Sequence, residues 1–198
     1  MGHPESKVRI IRATLDLLSQ SGLSGVAINQ VVAASTAPRG SIYHFFPGGK
    51  LELTKVALQE AEQCEGQWFR GIFNQPESTG KKVELLFSDA AKLLEAGEFM
   101  KGCPVAAVAL DLDKDSEGLR AVCRGIFTTW QGIIAAGLDE VPEAERHDAA
   151  ELILATLEGA LILSRAEATK DPLLRAGMIL REIFDGKFQG SSRESPLH

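Results

Sequence analysis

Residues 28–53 read INQVVAASTAPRGSIYHFFPGGKLEL, and the fold is decided there. An apolar octet, 28–35, is followed by a Ser-Thr-Ala-Pro break. The next segment mixes Arg39, Ser41, Tyr43 and His44 with Ile42, Phe45 and Phe46. A core helix has no use for Arg39 and His44, and a loop has no use for so many large apolar side chains. A short helix with one anchored face and one free face accommodates both. Ile42 and Phe46, four apart, share the anchored face, and Pro38 is acceptable in a first helical turn, where its missing N–H has no partner.

Working outward, almost every other segment also reads as helix. Upstream, in KVRIIRATLDLLSQSG, the residues Val8, Ile11, Leu15 and Leu18 form one amphipathic stripe, and Gly22 ends the helix as a C-terminal glycine does. Downstream, a longer helix runs from about Gly49 to Phe73, with Leu53, Ala57, Ala61, Cys64 and Trp68 at spacings of three and four. The clearest break is NQPESTG, 74–80. Further apolar helical runs follow, each bounded by Pro, Gly or acidic residues. No strand-type alternation and no internal repeat stands out. The expectation is an all-α fold of about nine helices: a three-helix N-terminal unit over 1–48, a larger body over 49–188 and a flexible tail over 189–198.

The chain has 198 residues, 44% of them hydrophobic and 24% charged, an ordinary globular composition. No apolar run approaches the roughly 20 residues that span a bilayer, and the start of the chain lacks a secretory leader, so a cytoplasmic protein without a membrane partner is expected. Three cysteines without CxxC spacing make a disulfide framework or a zinc site a poor reading. The net charge is −6, which taken alone argues against nucleic acid. The distribution reverses that. Residues 1–58 carry six Lys and Arg against three Asp and Glu, so the remainder is strongly acidic. A basic N-terminal piece on an acidic body suggests a nucleic-acid partner.

Two short helices joined by a tight turn form a helix-turn-helix, whose second helix is shaped to enter a DNA major groove. Arg39 suits guanine edges or phosphate, and Gly40 removes a side chain where backbone approaches the duplex. Ser41, Tyr43 and His44 can donate to phosphates or bases. Lys50, opening the next helix, would join that helix's free N–H groups in holding a phosphate. Phe46 reads as core, while Phe45 suits either role.

The same stretch resembles the DNA-binding signature of the tetracycline-repressor (TetR) family, a helix-turn-helix ending in YxxF and running into a lysine-started fourth helix. Gly40, Ser41, Tyr43, His44, Phe46 and Lys50 carry the resemblance, which covers roughly 7–58. The form YHFFPGGK, with GCPVAAVALD (102–111) and LEGALILSRAE (157–167), further resembles the LmrA/YxaF-like subgroup. Two features depart from the family. Val26 and Ala27 stand where Ser or Thr usually caps the second helix, leaving Ser24 as the available substitute. Thr36 stands where the turn usually has Gly. A left-handed Thr is costly, so the turn is either strained or rebuilt.

Helix-turn-helix proteins usually bind as dimers. The last long helix pair is the expected dimer face, with Leu154, Leu157, Leu161 and Ser164 along one side of the first helix and Met178 on its partner. The resemblance implies a homodimeric four-helix bundle, palindromic double-stranded operator DNA as partner, and release of DNA when a small apolar effector, aromatic or not, enters the body. Trp68, Phe69, Phe99, Cys103, Phe127 and Trp130 are the expected lining, with Thr128, Thr129, Gln131 and His147 as available polar groups. Cys103, before Pro104, admits a variant in which a thiol senses redox state or electrophiles. A helical adaptor that binds no DNA and an enzyme on an all-α scaffold are the remaining alternatives.

Signals for other chemistry do not hold up. DLDKDSEG, 111–118, begins like a calcium loop, but Ser116 and Val122 replace the Gly and Glu that such a loop requires. GGK lacks the upstream Gly of a phosphate loop. The histidines show neither metal spacing nor a nucleophile–His–acid grouping. No cofactor, metal site or catalytic residue is expected.

Overall fold

The computed structural model describes residues 4–189. Among them the regular elements are nine α-helices and one short 3-10 turn. The helices are α1 (Pro4–Ser21), α2 (Ile28–Ser35), α3 (Arg39–Phe45), α4 (Gly49–Phe73), α5 (Thr79–Ala96), α6 (Pro104–Leu110), α7 (Glu117–Ala136), α8 (Arg146–Glu167) and α9 (Asp171–Gln189). The all-α reading therefore stands. Of the expected tail, 190–198 lie outside the described residues.

The chain divides into two compact units, one of residues up to Glu65 with Lys101–Thr128, the other of Gly66–Met100 with Thr129 onward. This grouping differs from a division at residue 48. The short α6 is the reason: its Val105 and Val108 are fully buried, and it packs along α1. In the first unit Ile10, Leu18, Val31, Ile42, Phe46, Leu53 and Leu58 are also buried. The inward stripe of α1 is Ser6, Ile10, Ala13, Thr14 and Leu18, so the expected stripe was rotated, and Val8 is 47% exposed. Thr14 is accommodated because its hydroxyl donates to the Ile10 carbonyl at 2.8 Å.

In the second unit α5 and α9 make the most extensive pairing. Gly177 permits it, since a Cβ there would stand 2.6 Å from Cβ of Phe87. The core gathers Phe69, Phe73, Val83, Leu86, Phe87, Trp130, Ile153, Leu157 and Leu173. Lys82 is buried among them, its Nζ donating to the Gly137 carbonyl at 2.9 Å and lying 3.3 Å from the Asp139 carboxylate. An ammonium there satisfies carbonyls left open at the end of α7. Breaking such a buried, paired charge is costly.

Candidate nucleic-acid interface

The reading segment is built from its anchors outward. Ile42 and Phe46 are buried to within 1% of exposure, and Phe46 N–H donates to the Ile42 carbonyl at 2.7 Å, closing α3. That leaves Arg39, Gly40, Tyr43 and His44 exposed and Ser41 half-buried. Tyr43 is 49% exposed. Phe45 is half-buried, packed edge-on between His44 (5.0 Å) and Phe46 (6.4 Å). At Gly40 an added Cβ would meet nothing within 4 Å, and the residue has no positive φ. Nothing inside the chain therefore requires glycine at this helical position, where it is disfavoured. The open space leaves room for an external surface to approach the backbone there.

The turn before α3 is not rebuilt. Thr36 adopts the left-handed region, φ 53°, ψ 19°, and its hydroxyl donates to the Ser35 carbonyl at 2.7 Å. The buried Ser35 accepts from Ala37 N–H at 3.3 Å. These side-chain bonds hold locally what a glycine would adopt freely. The start of α2 also has half a cap. Ala27 has no side chain to offer, but Gln30 reaches back and accepts from Ala27 N–H at 2.8 Å. Ser24 does not substitute as the cap. Its N–H and hydroxyl both donate to Oδ2 of Asp111, at 2.9 and 2.8 Å.

Lys50 has a partner inside the chain. It is half-buried, and its Nζ donates to the Leu23 carbonyl at 2.6 Å. Sequence reasoning missed this because the partner lies 27 residues away and is main chain. Gly49 begins α4 with φ +66°, a conformation that needs glycine. Glu52 accepts from Gly48 N–H at 2.7 Å. Beside α2, an open groove of about 420 Å³ is lined by Arg9, Arg12, Asp16, Gln20, Ser35 and Thr36, adding exposed basic groups of α1 that the sequence reading did not single out.

The expected effector lining is distributed. Trp68, Phe69, Phe99 and Trp130 belong to the second unit, Cys103 and Phe127 to the first. Phe69 and Trp130, 2% and 1% exposed, pack edge to face at 5.6 Å, with Trp68 against Phe69 at 5.1 Å. Phe99 has φ +59°, and its N–H donates to the Leu94 carbonyl at 2.9 Å, closing α5. Cys103 precedes α6, its sulfur accepting from Ala106 N–H at 3.4 Å. Burial pushes the Cys123 thiol up from its ordinary pKa. In the rejected calcium loop, Ser116 donates to the Asp113 carboxylate at 2.5 Å and Asp115 N–H donates to it at 3.0 Å.

Three of the expected dimer residues point into the chain's own core, while Met178 is exposed. Leu154, Leu157 and Ser164 are 4%, 2% and 0% exposed within the single chain. The Ser164 hydroxyl accepts from Leu173 N–H at 3.2 Å. These three are not on the outer face of α8, and Leu161 is half-buried. The outer face carries Leu152, Ile162 and Leu163, about half exposed, with Leu174, Met178, Ile179 and Ile183 on α9. Gly159 lies on it, a Cβ there meeting nothing within 4 Å.

Comparison with known proteins agrees with this geometry. Residues 10–56 match the model for bacterial regulatory proteins of the tetR family, and residues 80–178 match the C-terminal domain of LmrA/YxaF-like transcriptional regulators. The chain is 31% identical to the uncharacterized HTH-type transcriptional regulator YxaF of Bacillus subtilis, over 86% of this chain and 90% of that one. It is 25% identical to the HTH-type transcriptional regulator LmrA of the same organism, over 92% and 98%. Among solved structures, a regulatory protein TetR from Rhodobacter sphaeroides superposes with a TM-score of 0.81 at 22% identity, over 89% of this chain and 97% of that one. A mutant of the TetR-family regulator CifR in complex with 26-bp operator DNA superposes at 0.77 and 18% identity, over 89% and 95%.

Proposed function

The chain belongs to the TetR family of transcriptional regulators, with a C-terminal domain of the LmrA/YxaF-like kind, and on that premise we propose that it is a ligand-responsive repressor binding a palindromic operator as a homodimer. The observation that carries this is α3, anchored by Ile42 and Phe46 and presenting Arg39, Tyr43 and His44 to solvent around a glycine the fold itself does not need. Seven residues of helix make too few base contacts for tight specific binding, so two copies act together. The outer face of α8 and α9, from Leu152 and Gly159 to Met178 and Ile183, has the apolar side chains and the small residue that a helical dimer face uses.

The effector in this reading is small and apolar. It acts in the body against the aromatic group of Trp68, Phe69 and Trp130, and favours a different tilt of α4. A difference in effector affinity between the two states of roughly 1–3 kcal/mol changes operator affinity about 5–150-fold. The test is a gel-shift titration against the DNA flanking the protein's own gene, at two salt concentrations, beside unrelated DNA. A complex on the flanking DNA that resists competition and weakens with salt supports the reading. A folded dimer that shifts no fragment in preference to unrelated DNA contradicts it.

A further inference from the structure

The pair α2–α3 is bracketed in sequence by Ser24 and Lys50, and both residues are bound at one knot. Lys50 Nζ donates to the Leu23 carbonyl at 2.6 Å, while Ser24 gives its N–H and its hydroxyl to Oδ2 of Asp111 at 2.9 and 2.8 Å. Two successive residues of the α1–α2 turn are thus held from outside it, one by a cation at the start of α4, the other by an anion that caps α6. The turn is shaped to admit that anion. Gly22, at φ +66°, would place a Cβ 2.6 Å from Oδ2 of Asp111 and 3.5 Å from the Ala107 carbonyl, so a side chain there would collide with the knot. The segment leading into α6 is tied as well. Gly102 N–H donates to the Ser19 carbonyl at 2.9 Å, and Lys101 Nζ reaches the Asp16 carboxylate at 2.7 Å.

We propose that Asp111 is a positioning residue for operator binding: from the C-terminal end of α6 it clamps the α1–α2 turn and so fixes the pose of α2 and α3. The proposal rests on the DNA-binding reading above. A seven-residue reading helix cannot hold its own orientation, and productive contacts need supporting residues that lock it within a fraction of an ångström. Asp111 lies inside the stretch matched to the C-terminal domain model, residues 80–178, yet α6 belongs to the compact unit of α1–α3. The clamp therefore makes α6 part of the reading head.

The sign of the effect separates positioning from simple charge. A carboxylate near DNA repels phosphate, so removing it would by electrostatics alone tighten every duplex. A clamp predicts the opposite for the specific site. The experiment uses the full chain with Asp111→Ala, Asp111→Asn, Ser24→Ala and the Ser24→Ala/Asp111→Ala double variant. The probes are a duplex enriched from a random-sequence library by the wild-type protein and an unenriched random duplex. Asp111→Ala is expected to weaken the enriched duplex about tenfold and to leave the random duplex unchanged or tighter. The double variant should be no weaker than Asp111→Ala alone, because both changes remove one interaction. Asp111→Asn, which keeps the volume and one acceptor oxygen, should fall between; it decides the matter if the alanine variant fails to fold. Unchanged or tighter binding of the enriched duplex by the folded variants overturns the proposal, as does equal weakening on both duplexes with loss of helicity. If the wild-type protein enriches no duplex, the DNA-binding reading itself fails.

Discussion

Gly40 is a residue the fold does not need and the proposed DNA-binding role would use. It sits in a helix with an unstrained backbone and open space where a Cβ would go. Gly40→Ala should therefore stabilise the protein, by up to about 1 kcal/mol, and weaken binding to the operator. Thermal unfolding and DNA titration of the same preparation separate the two effects. Thr36 is the converse case, a β-branched residue in the left-handed region at φ 53°. Thr36→Gly should raise stability by about 1 kcal/mol, read as a higher unfolding midpoint; a lower midpoint would mean that its hydroxyl bond to Ser35 outweighs the strain. At this scale the sequence identified which side chains of α3 are free, because i,i+4 anchors leave little choice. It did not reveal the partners of Lys50 and Ser24, because the Leu23 carbonyl and Asp111 are brought to them by tertiary structure.

Among elements, α8 exposes the limit of periodicity. Its inner stripe of Ile153, Leu154, Leu157 and Ala160 and its outer stripe of Leu152, Ile162 and Leu163 are both apolar. A helix apolar on both faces gives no phase from which to choose the side that meets a partner. The choice becomes visible only once α5 and α9 have covered one side. The two stripes make opposite predictions. Ile179→Arg on the outer face of α9 should yield a folded monomer by sedimentation, whereas Leu157→Ala should lower stability by about 2–5 kcal/mol in monomer and dimer alike. A folded dimer that survives Ile179→Arg would place the interface elsewhere. The short α6 carries a pH signature. The N–H and hydroxyl of Ser24, then the Leu23 backbone and the nearby charge of Lys50, hold the Asp111 carboxyl below its ordinary pKa. Its contribution to stability is complete above the unfolded pKa and is lost as pH falls through the lowered, folded one. The wild-type protein should exceed Asp111→Asn in unfolding midpoint at neutral pH, by a margin worth less than about 1 kcal/mol at so exposed a site. That margin should close in acid.

For the whole molecule, the division of charge was the first sign of function, and fold, exposed reading face and family membership now agree with it. A protein of net charge −6 must bind DNA through its basic N-terminal stretch against the net repulsion of the remainder. Its binding should therefore be steeply salt-dependent and intolerant of misorientation. What the sequence left open at this scale was the grouping of the helices, since the apolar α6 and the start of α7 carry no mark of which neighbours they join. The proposed function requires two reading helices to act together on a symmetric site. The most direct test is to let the wild-type protein select duplexes from a random-sequence library and to read the enriched sequences. The expected result is an inverted repeat whose half-site centres lie one helical turn, or a multiple of it, apart, with Arg39→Ala relaxing the choice of base within each half. Absence of enrichment, or enrichment of a single asymmetric site bound by a monomer, would contradict it.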